Sequence, residues 1–149
     1  ILRSKSLQIS EWGSFWFLFI YIFKRFCPVI IWNIIIPKDR SVLVTETVMK
    51  TSTGALERVN IIMVNNLVNA INKLKEKGFF IYAAEADGTD YRKVNYADKV
   101  CLIIGSEGFG VSKLVRKNCD EILSIQMKGK VNSLNASVSA GILLFGIEN

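Results

Sequence analysis

Histidine is missing from this chain of 149 residues. Its absence excludes Ser-His-Asp and Cys-His nucleophilic sites, and it excludes zinc sites built on histidine ligands. Any proton that the protein transfers must therefore pass through arginine, lysine, a carboxylate, tyrosine or cysteine.

Cysteine is scarce as well. The three cysteines are Cys27, Cys101 and Cys119, and no two of them have the C-x-x-C spacing of a zinc ribbon or a thioredoxin-type motif. We therefore expect reduced thiols, a cytoplasmic location and no metal cofactor.

The chain also lacks an apolar run long enough for a membrane span. The run at residues 15–23 ends after nine residues at Lys24 and Arg25, whereas a spanning helix needs about 20 apolar residues. No small-residue cleavage site follows it, which argues against a signal peptide. We predict no membrane partner, and attachment of this run to a membrane surface ranks last among three interpretations of the chain.

The residues that are present favour a folded, basic domain. Hydrophobic residues make up 50% of the chain and charged residues 21%, which excludes a disordered polypeptide and fits one globular domain. Lysine and arginine outnumber aspartate and glutamate by 19 to 13. The resulting net charge of +6 favours a polyanion or an anionic surface as partner.

The composition divides the chain at residue 33. Residues 1–40 contain nine of the 16 aromatic residues and all three tryptophans. We therefore separate an atypical N-terminal segment, residues 1–33, from a domain formed by residues 34–149. The first segment is a buried strand, an insertion, an altered N-terminal sequence or a segment foreign to the parent fold.

Apolar strands alternate with helical patterns after Asn33. The sequence predicts strands at 34–36, 61–64, 79–84, 100–104 and 122–125, and helices at 45–58, 67–77, 111–119 and 133–147. Asn65 or Asn66 is the predicted cap of the second helix, and Asn132 or Ser133 that of the last. Several strands are apolar on both faces, which is typical of an α/β fold with a mostly parallel sheet flanked by helices.

Residues 103–112 (IIGSEGFGVS) place three glycines directly after a predicted strand. Ligands bind beyond the carboxyl ends of parallel strands, and glycine there permits close approach of the backbone. Neither a P-loop nor a complete dinucleotide fingerprint is present. A plain turn would account for the glycines, but not for the carboxylate of Glu107 among them.

Residues 125–141 (IQMKGKVNSLNASVSAG) form a second polar segment, in which a strand ends and the last helix begins. Polar side chains are unfavourable inside a packed helix unless they bind something. Capping and close helix packing through Ala136, Ala140 and Gly141 explain the small residues. They do not explain Asn135, which points to a ligand.

Together the two segments resemble the second and third signature motifs of the SpoU (TrmH-like) branch of the SPOUT methyltransferases. Residues 104–110 (IGSEGFG) match the family's G-[SA]-E-G-x-G. Residues 125–137 (IQMKGKVNSLNAS) match I-P-M-x-G-x-x-x-S-L-N-x-S, with Gln126 in place of proline. Residues 36–41 and 50–55 resemble two upstream motifs, so the likeness covers about residues 34–149, and it is strongest toward large-subunit ribosomal RNA guanosine 2′-O-methyltransferases.

The resemblance implies a deep C-terminal trefoil knot, a homodimer, and methyl transfer from S-adenosylmethionine to a ribose 2′-hydroxyl of RNA, ribosomal or transfer RNA. It implies catalytic roles for Glu107, Ser133 and Asn135, and it requires no metal. It also implies that the cofactor is bound by residues of both motifs: Gly105, Ser106, Gly108, Ile125, Met127, Ser133 and Leu134.

Two pairs of basic residues are candidates for RNA binding. Lys38 and Arg40 lie together at a predicted strand end, and Lys128 and Lys130 flank the second polar segment. Phosphate contacts need no more than such clusters, although a solvated charged surface would look the same in sequence.

The family's first motif, N-x-G-A-x-x-R-[ST]-A, supplies an arginine thought to take the proton from the hydroxyl. Arg3 and Ser4 resemble the end of this motif, but Lys5 stands where the family has alanine, and 34 positions separate Arg3 from Pro37. Arg3 is therefore the candidate catalytic arginine of an incomplete motif. The alternative to an enzyme is a catalytically silent homologue that binds RNA or cofactor.

Overall fold

The structure is a computed structural model that describes residues 19–24, 32–38, 59–106, 108–127 and 134–149. The helix predicted over residues 45–58 lies outside these ranges. The described elements follow in this order: β1 Phe19–Lys24, β2 Trp32–Pro37, β3 Val59–Val64, α1 Leu67–Glu76, β4 Phe80–Asp90, a 3-10 turn Tyr91–Lys93, β5 Lys99–Ile104, α2 Lys113–Lys117, β6 Glu121–Ser124 and α3 Ala136–Glu148.

The six described strands form one sheet in the order β3-β2-β1-β5-β4-β6. The pairs β2–β3, β4–β5 and β4–β6 are parallel, whereas β1 is antiparallel to both of its neighbours. All the strands but β1 therefore run in one direction. This confirms the predicted α/β fold with a mostly parallel sheet; the trefoil knot stays a prediction.

Strand β1 comes from the aromatic-rich N-terminal segment and lies inside the sheet. Its Tyr21 is opposite Ile34 of β2 on one side and Leu102 of β5 on the other. At least this part of the segment is built into the sheet as a strand. The division of the chain at residue 33 remains a prediction.

Helices cover both faces of the sheet. The side chains of each strand alternate between the two faces, so each face presents apolar side chains that a helix can bury. On one face Cys101 and Ile103 of β5 pack with Ile71 of α1 and Val115 of α2. On the other face the alternate β5 residues pack against α3, in a cluster that contains Val100, Leu102, Ile104, Ala140, Leu143 and Ile147. The two cores fix the carboxyl ends of β4, β5 and β6 relative to α3.

The helix starts follow their capping residues. Asn66 caps α1 as predicted, with its side chain accepting a hydrogen bond from Asn69 N at 3.0 Å. Helix α2 is shorter than predicted because Ser112 caps it. The predicted start of the last helix at Ser133, capped by Asn132 or Ser133, is wrong. Asn135 has extended ψ of 140° and accepts from Ser137 N at 2.8 Å, so α3 begins at Ala136.

Strand β4 is longer than the predicted 79–84 and is irregular near its end. Its register on β6 shifts between Ala84 and Thr89. Gly88 crosses so close to β6 that a Cβ there would lie 2.6 Å from the carbonyl carbon of Ile122. Glycine is therefore required at this crossing, and residues 85–88 leave the regular ladder beside the carboxyl ends of the neighbouring strands.

The 3-10 turn after β4 is organised by Asp90. Its carboxylate accepts from Arg92 N at 3.1 Å and forms an ion pair with the Arg92 guanidinium at 2.7 Å. The hydrogen bonds from the Arg92 side chain and backbone lower the pKa of Asp90 to about 2. This contact gives a structural role to a connection whose role the sequence alone does not reveal.

Cys101 and Cys119 are free thiols, and burial raises the pKa of Cys119 to about 11. Within the described residues no helix is long and apolar enough to cross a membrane. The same residues contain no group of three or more histidine, cysteine or acidic side chains that could hold a metal ion.

Candidate active site

A cleft of about 990 Å³ lies beyond the carboxyl ends of β4, β5 and β6. In parallel sheets this edge is where ligands bind. The loop after β5, the segment after β6 and the start of α3 all border the cleft. Residues of the two predicted motifs meet there: Gly105, Ser106, Gly108, Ile125, Met127, Leu134 and Asn135.

The glycine loop, residues 105–110, closes back on itself at the cleft wall. Ser106 N donates to Gly110 O at 3.2 Å, and Gly110 N donates to Ser106 O at 2.9 Å. A Cβ on Gly105 would lie 2.6 Å from both Gly110 O and Val111 N. The close return of the loop therefore requires glycine at position 105, which explains that glycine without reference to a ligand.

Gly110 is constrained in two ways. Its φ of +64° lies in the left-handed region that other residues adopt at a cost. A Cβ at this position would also lie 2.7 Å from Glu85 Oε1. Both constraints hold the loop exit in a single backbone conformation.

Glu85, at the irregular end of β4, anchors the exit of the glycine loop. Its Oε1 accepts a hydrogen bond from Val111 N at 2.6 Å, and the side chain is 21% exposed. A charged acceptor makes this a strong class of hydrogen bond. Glu85 also lines the cleft, so one carboxylate belongs to both the loop anchor and the ligand cavity.

Arg116 of α2 links Glu85 to Asp87. Its guanidinium makes two hydrogen bonds to the Asp87 carboxylate, at 3.1 and 2.9 Å, and lies 3.9 Å from Glu85 Oε2. The hydrogen bond with Asp87 raises the pKa of Arg116, and the same contact lowers the pKa of Asp87. Arg116 is therefore held between two carboxylates at the end of β4.

The cleft also has apolar lining residues. Ile125, Met127 and Leu134 are at least partly exposed there, whereas Leu123 of β6 and Leu143 of α3 are fully buried. The exposed apolar side chains suit a flat aromatic group.

Gln126, which takes the place of the family's proline, lines the cleft and is hydrogen-bonded to β6. Its Nε2 donates to Ser124 Oγ at 2.8 Å, and that hydroxyl donates to Gly88 O at 2.8 Å. These two hydrogen bonds connect the segment after β6 to the irregular end of β4. It supplies a restraint where proline would have restricted φ.

Asn135 lies at the cleft and at the start of α3 at once. Its Oδ1 accepts a hydrogen bond from Ser137 N at 2.8 Å. One turn further along α3, Ser139 also lines the cleft. The capping contact is a structural role for Asn135 that its sequence position did not reveal.

The remaining predicted site residues are not at the described cleft. Lys38 is exposed at the end of β2, where its backbone N donates to Val64 O at 2.8 Å, and it does not line the cleft. The others lie outside the described residues: Arg3, Arg40, Glu107, Lys128, Lys130 and Ser133.

Glu85 is the main cleft residue that the sequence analysis missed. It stands in an alanine-rich stretch, AAEAD at 83–87, that follows no motif. The available signal was an acidic residue at the carboxyl end of a predicted parallel strand, because side chains there face the ligand edge of the sheet.

The chain matches the model of the SpoU rRNA methylase family over residues 24–145. A protein of Staphylococcus saprophyticus assigned to the TrmH family of tRNA/rRNA methyltransferases is 46% identical over 116 residues, which are 77% of this chain and 47% of the relative. A relative from Staphylococcus aureus (strain COL) with the same assignment is 48% identical over 116 residues, with the same coverage. The chain spans about half the length of these curated relatives.

Solved structures agree with this assignment. A TrmH-family protein from Porphyromonas gingivalis superposes with a TM-score of 0.71 at 26% identity, covering 77% of this chain and 47% of that one. The TrmH/SpoU tRNA modifying enzyme of A. aeolicus gives 0.63 at 31% identity, covering 67% and 52%. The fold is also that of the SpoU methyltransferase AviRb from Streptomyces viridochromogenes, solved with AdoMet, with a TM-score of 0.71 at 22% identity and coverage of 78% and 49%.

The match to the family model spans most of the chain, and the residues that carry it include the strands, loops and helix that build the cleft. The chain belongs to the SpoU rRNA methylase family.

Proposed function

We propose that the chain is a methyltransferase domain that transfers a methyl group from S-adenosylmethionine to a ribose 2′-hydroxyl of RNA, with ribosomal RNA as the first candidate and transfer RNA as the second. The observation that carries the proposal is the meeting of both signature segments in one cleft of about 990 Å³ at the ligand edge of the sheet. Family membership supports the reaction class.

The cleft fits the proposed cofactor. Its volume is at the upper end of the range for small-molecule sites. The apolar side chains of Ile125, Met127 and Leu134 are suited to the adenine ring, and the polar loop around Ser106 is suited to hydroxyl and carboxylate groups. S-adenosylmethionine supplies an activated methyl group on a sulfonium centre.

The residues of the chain contribute binding and orientation. Backbone groups of the glycine loop are preorganised by the Ser106–Gly110 bridge and the Glu85 anchor, so little entropy is lost when a ligand binds. The Asn135 amide can hold a reacting group in line, since positioning supplies much of the rate in a displacement reaction. Arg3 stays the proposed proton acceptor, on its resemblance to the end of the family's first motif.

A calorimetric titration with S-adenosylmethionine tests the cofactor site. We expect saturable binding to the parent chain and none to Gly105→Trp, because even a Cβ at this position would contact the returning loop. Lys73→Trp, a bulky change at an exposed position of α1, is the matched control and should bind as the parent does. Negligible heats for the parent would contradict the proposal.

A methylation assay separates the enzyme from the silent homologue. Ribosomal and transfer RNA transcripts are incubated with the chain and with cofactor carrying a radioactive methyl group, then digested to nucleosides. The proposal expects label in a 2′-O-methyl nucleoside. Cofactor binding with no label in either RNA would favour the silent homologue, whose basis is the incomplete first motif at Arg3.

We also propose a cellular location, an oligomeric state and a knotted backbone for the enzyme. The free thiols of Cys101 and Cys119 support a cytoplasmic location. Val138 and Phe145 of α3 are exposed apolar residues, which supports a homodimer, and likeness to the family supports the trefoil knot.

A further inference from the structure

The glycine loop and the short helix α2 that follows it expose both apolar side chains and cations. Phe109 is 71% exposed and Leu114 is 63% exposed. Lys113 and Lys117, on the same short helix as Leu114, are exposed as well. We call these four residues the α2 surface. Single exposed apolar residues are common, but here an exposed phenylalanine is followed five positions later by an exposed leucine that has Lys113 and Lys117 near it on the same helix.

The fold holds Phe109 at the edge of the cleft. The glycines on either side of it, Gly108 and Gly110, both line the cleft and have φ of +85° and +64°. These left-handed conformations, together with the Glu85 anchor at Val111, fix the direction of the backbone at Phe109. The aromatic ring is therefore presented from a restrained loop that borders the proposed cofactor site.

Helix α2 presents the rest of the surface. Val115 is buried in the core and fixes the inner face of the helix. At about 100° per residue, Lys113 and Lys117 lie nearly opposite Val115, and Leu114 lies on the flank of the helix. Ser112 at the start and the Asn118 side chain at the end bond to the helix backbone, so this face has a defined orientation.

The charge of the segment favours a polyanion. Residues 108–118 contain three cations and no acidic residue. Lys113 and Lys117 border a surface depression that Asp87, Asp120 and Glu121 also line, but Asp87 is paired with Arg116 and Asp120 with Lys75. Arg116 is committed to Asp87, whereas Lys113 and Lys117 form no ion pair with any described residue. Lysine is depleted at protein–protein interfaces, while it is common where proteins contact phosphate.

We propose that the α2 surface binds single-stranded RNA adjacent to the nucleotide in the cleft; the inference rests on the function proposed above. Phe109 stacks on an unpaired base, Leu114 extends the apolar platform, and Lys113 and Lys117 contact phosphates. Aromatic rings interleaved with cations are the usual means of holding single-stranded nucleic acid. The surface would then select unpaired RNA over duplex around the modified nucleotide.

The test measures binding of a fluorescein-labelled single-stranded RNA 12-mer by anisotropy, across a series of salt concentrations. For Phe109→Ala we expect the Kd to rise about tenfold, and for Phe109→Tyr, which keeps the ring, less than twofold. Lys113→Ala with Lys117→Ala should reduce the slope of log K against log salt by about 1.4, because two phosphate contacts are lost. The double variant Lys73→Ala with Lys93→Ala, at exposed lysines elsewhere, should leave the slope unchanged.

S-adenosylmethionine binding is measured on the same proteins and should be equal in all of them. If the parent does not bind cofactor, the proposed function is wrong. If the parent binds cofactor and the substitutions at Phe109 and the two lysines leave its RNA affinity unchanged, the proposed RNA-binding role of the α2 surface is wrong. A parent that binds cofactor but not the 12-mer would also overturn it. If Phe109→Ala dissociates the protein into monomers without changing RNA affinity, the surface serves a second copy of the chain and the inference is wrong.

Discussion

A single carboxylate decides the geometry of the glycine loop. Glu85 accepts a hydrogen bond from Val111 N at 2.6 Å, and its carboxylate lies 2.7 Å from the position of a Cβ on Gly110. A hydrogen bond to a charged group contributes about 1.5 to 3 kcal/mol, more than a neutral one. The loop backbone that borders the cleft is thus set by a residue outside both signature motifs.

We expect Glu85→Ala to weaken S-adenosylmethionine binding about tenfold or more, because the loop exit loses its anchor. Glu85→Gln keeps a carbonyl acceptor for Val111 N and should bind within about threefold of the parent. Calorimetric Kd values, with melting temperatures recorded alongside, check both changes.

Asp87→Asn is the matched control for Glu85. It weakens the pairing with Arg116 but does not touch Val111 N. Cofactor affinity should therefore stay near that of the parent. Parent-like affinity in a folded Glu85→Ala protein would show that the anchor does not position the loop.

Asn135 combines a capping contact with a place in the cleft, and two substitutions separate these roles. Aspartate caps helices as well as asparagine does, whereas alanine loses about 1 kcal/mol of stability. Asn135→Asp should therefore melt like the parent and Asn135→Ala should melt earlier. If the amide orients a reacting group, the rate of methyl transfer should fall at least tenfold in both variants. A tenfold fall corresponds to about 1.4 kcal/mol of lost transition-state stabilisation.

The Asn135 assay uses the parent chain, or the same chain with a complete first motif upstream if the parent is inactive. Full activity in Asn135→Asp, with activity of Asn135→Ala falling only as folded protein is lost, would limit Asn135 to capping. Our catalytic assignment would then be wrong.

At the scale of elements, strand and helix patterns predicted most of the described fold. Apolar runs such as 100–104 identified β5 because both of its faces are buried, and a capping asparagine identified the start of α1. The start of α3 was misplaced because Asn132, Ser133 and Asn135 are all good caps, and only the tertiary contacts select one. The extension of β4 past Ala84 was missed because alanine, glycine and aspartate have weak strand preferences.

Long-range placement was harder to predict than local structure. Nothing local to residues 19–24 places β1 between β2 and β5, since this pairing joins positions about 80 residues apart on one side. The site was more predictable where motifs follow strand ends, as at Gly105 and Asn135. Glu85 was not, because its partner Val111 lies 26 positions away.

The turn after β4 predicts a local sensitivity to acid. Pairing with Arg92 lowers the pKa of Asp90 to about 2, below its value of 3.8 in an unstructured chain. The contribution of Asp90 to stability is therefore complete above about pH 4 and is lost as the pH falls toward 2. The difference in melting temperature between the parent and Asp90→Asn should shrink over that interval.

Asp98→Asn is the control for the turn, because Asp98 is an exposed carboxylate that forms no ion pair with the residues described. Its melting temperature should follow that of the parent at every pH. A constant difference between the parent and Asp90→Asn from pH 5 to pH 2 would show that the ion pair does not stabilise the turn.

At the scale of the whole molecule, α3 has more apolar surface than one core can bury. Its inner face, Ala140, Leu143 and Ile147, is buried against the sheet. Its outer face carries Val138, 49% exposed, and Phe145, 73% exposed. The close helix packing expected of Ala140 is therefore made within the protein's own core, and neither Ala140 nor Leu143 can meet a partner.

The outer face of α3 has the geometry of a helix contact. Val138, Gly141 and Phe145 recur at spacings of three and four, so they lie on one side of the helix. Apart from the adjoining backbone of α3, no atom of the described residues lies within 4 Å of the position that a Cβ on Gly141 would occupy. A second helix could therefore approach closely there, and in a symmetric dimer the same face would serve both subunits.

We expect sedimentation of the parent at micromolar concentration to give about twice the chain mass of 16.8 kDa. Phe145→Lys places a charge at the centre of the outer face, where burial without a partner is costly. It should give a folded 16.8 kDa species with an unchanged circular dichroism spectrum. Leu114→Lys, at an equally exposed apolar position on α2, should remain dimeric because that surface is assigned to RNA. A parent that sediments only as a monomer, or a Phe145→Lys protein that remains a dimer, would show that α3 does not form the interface.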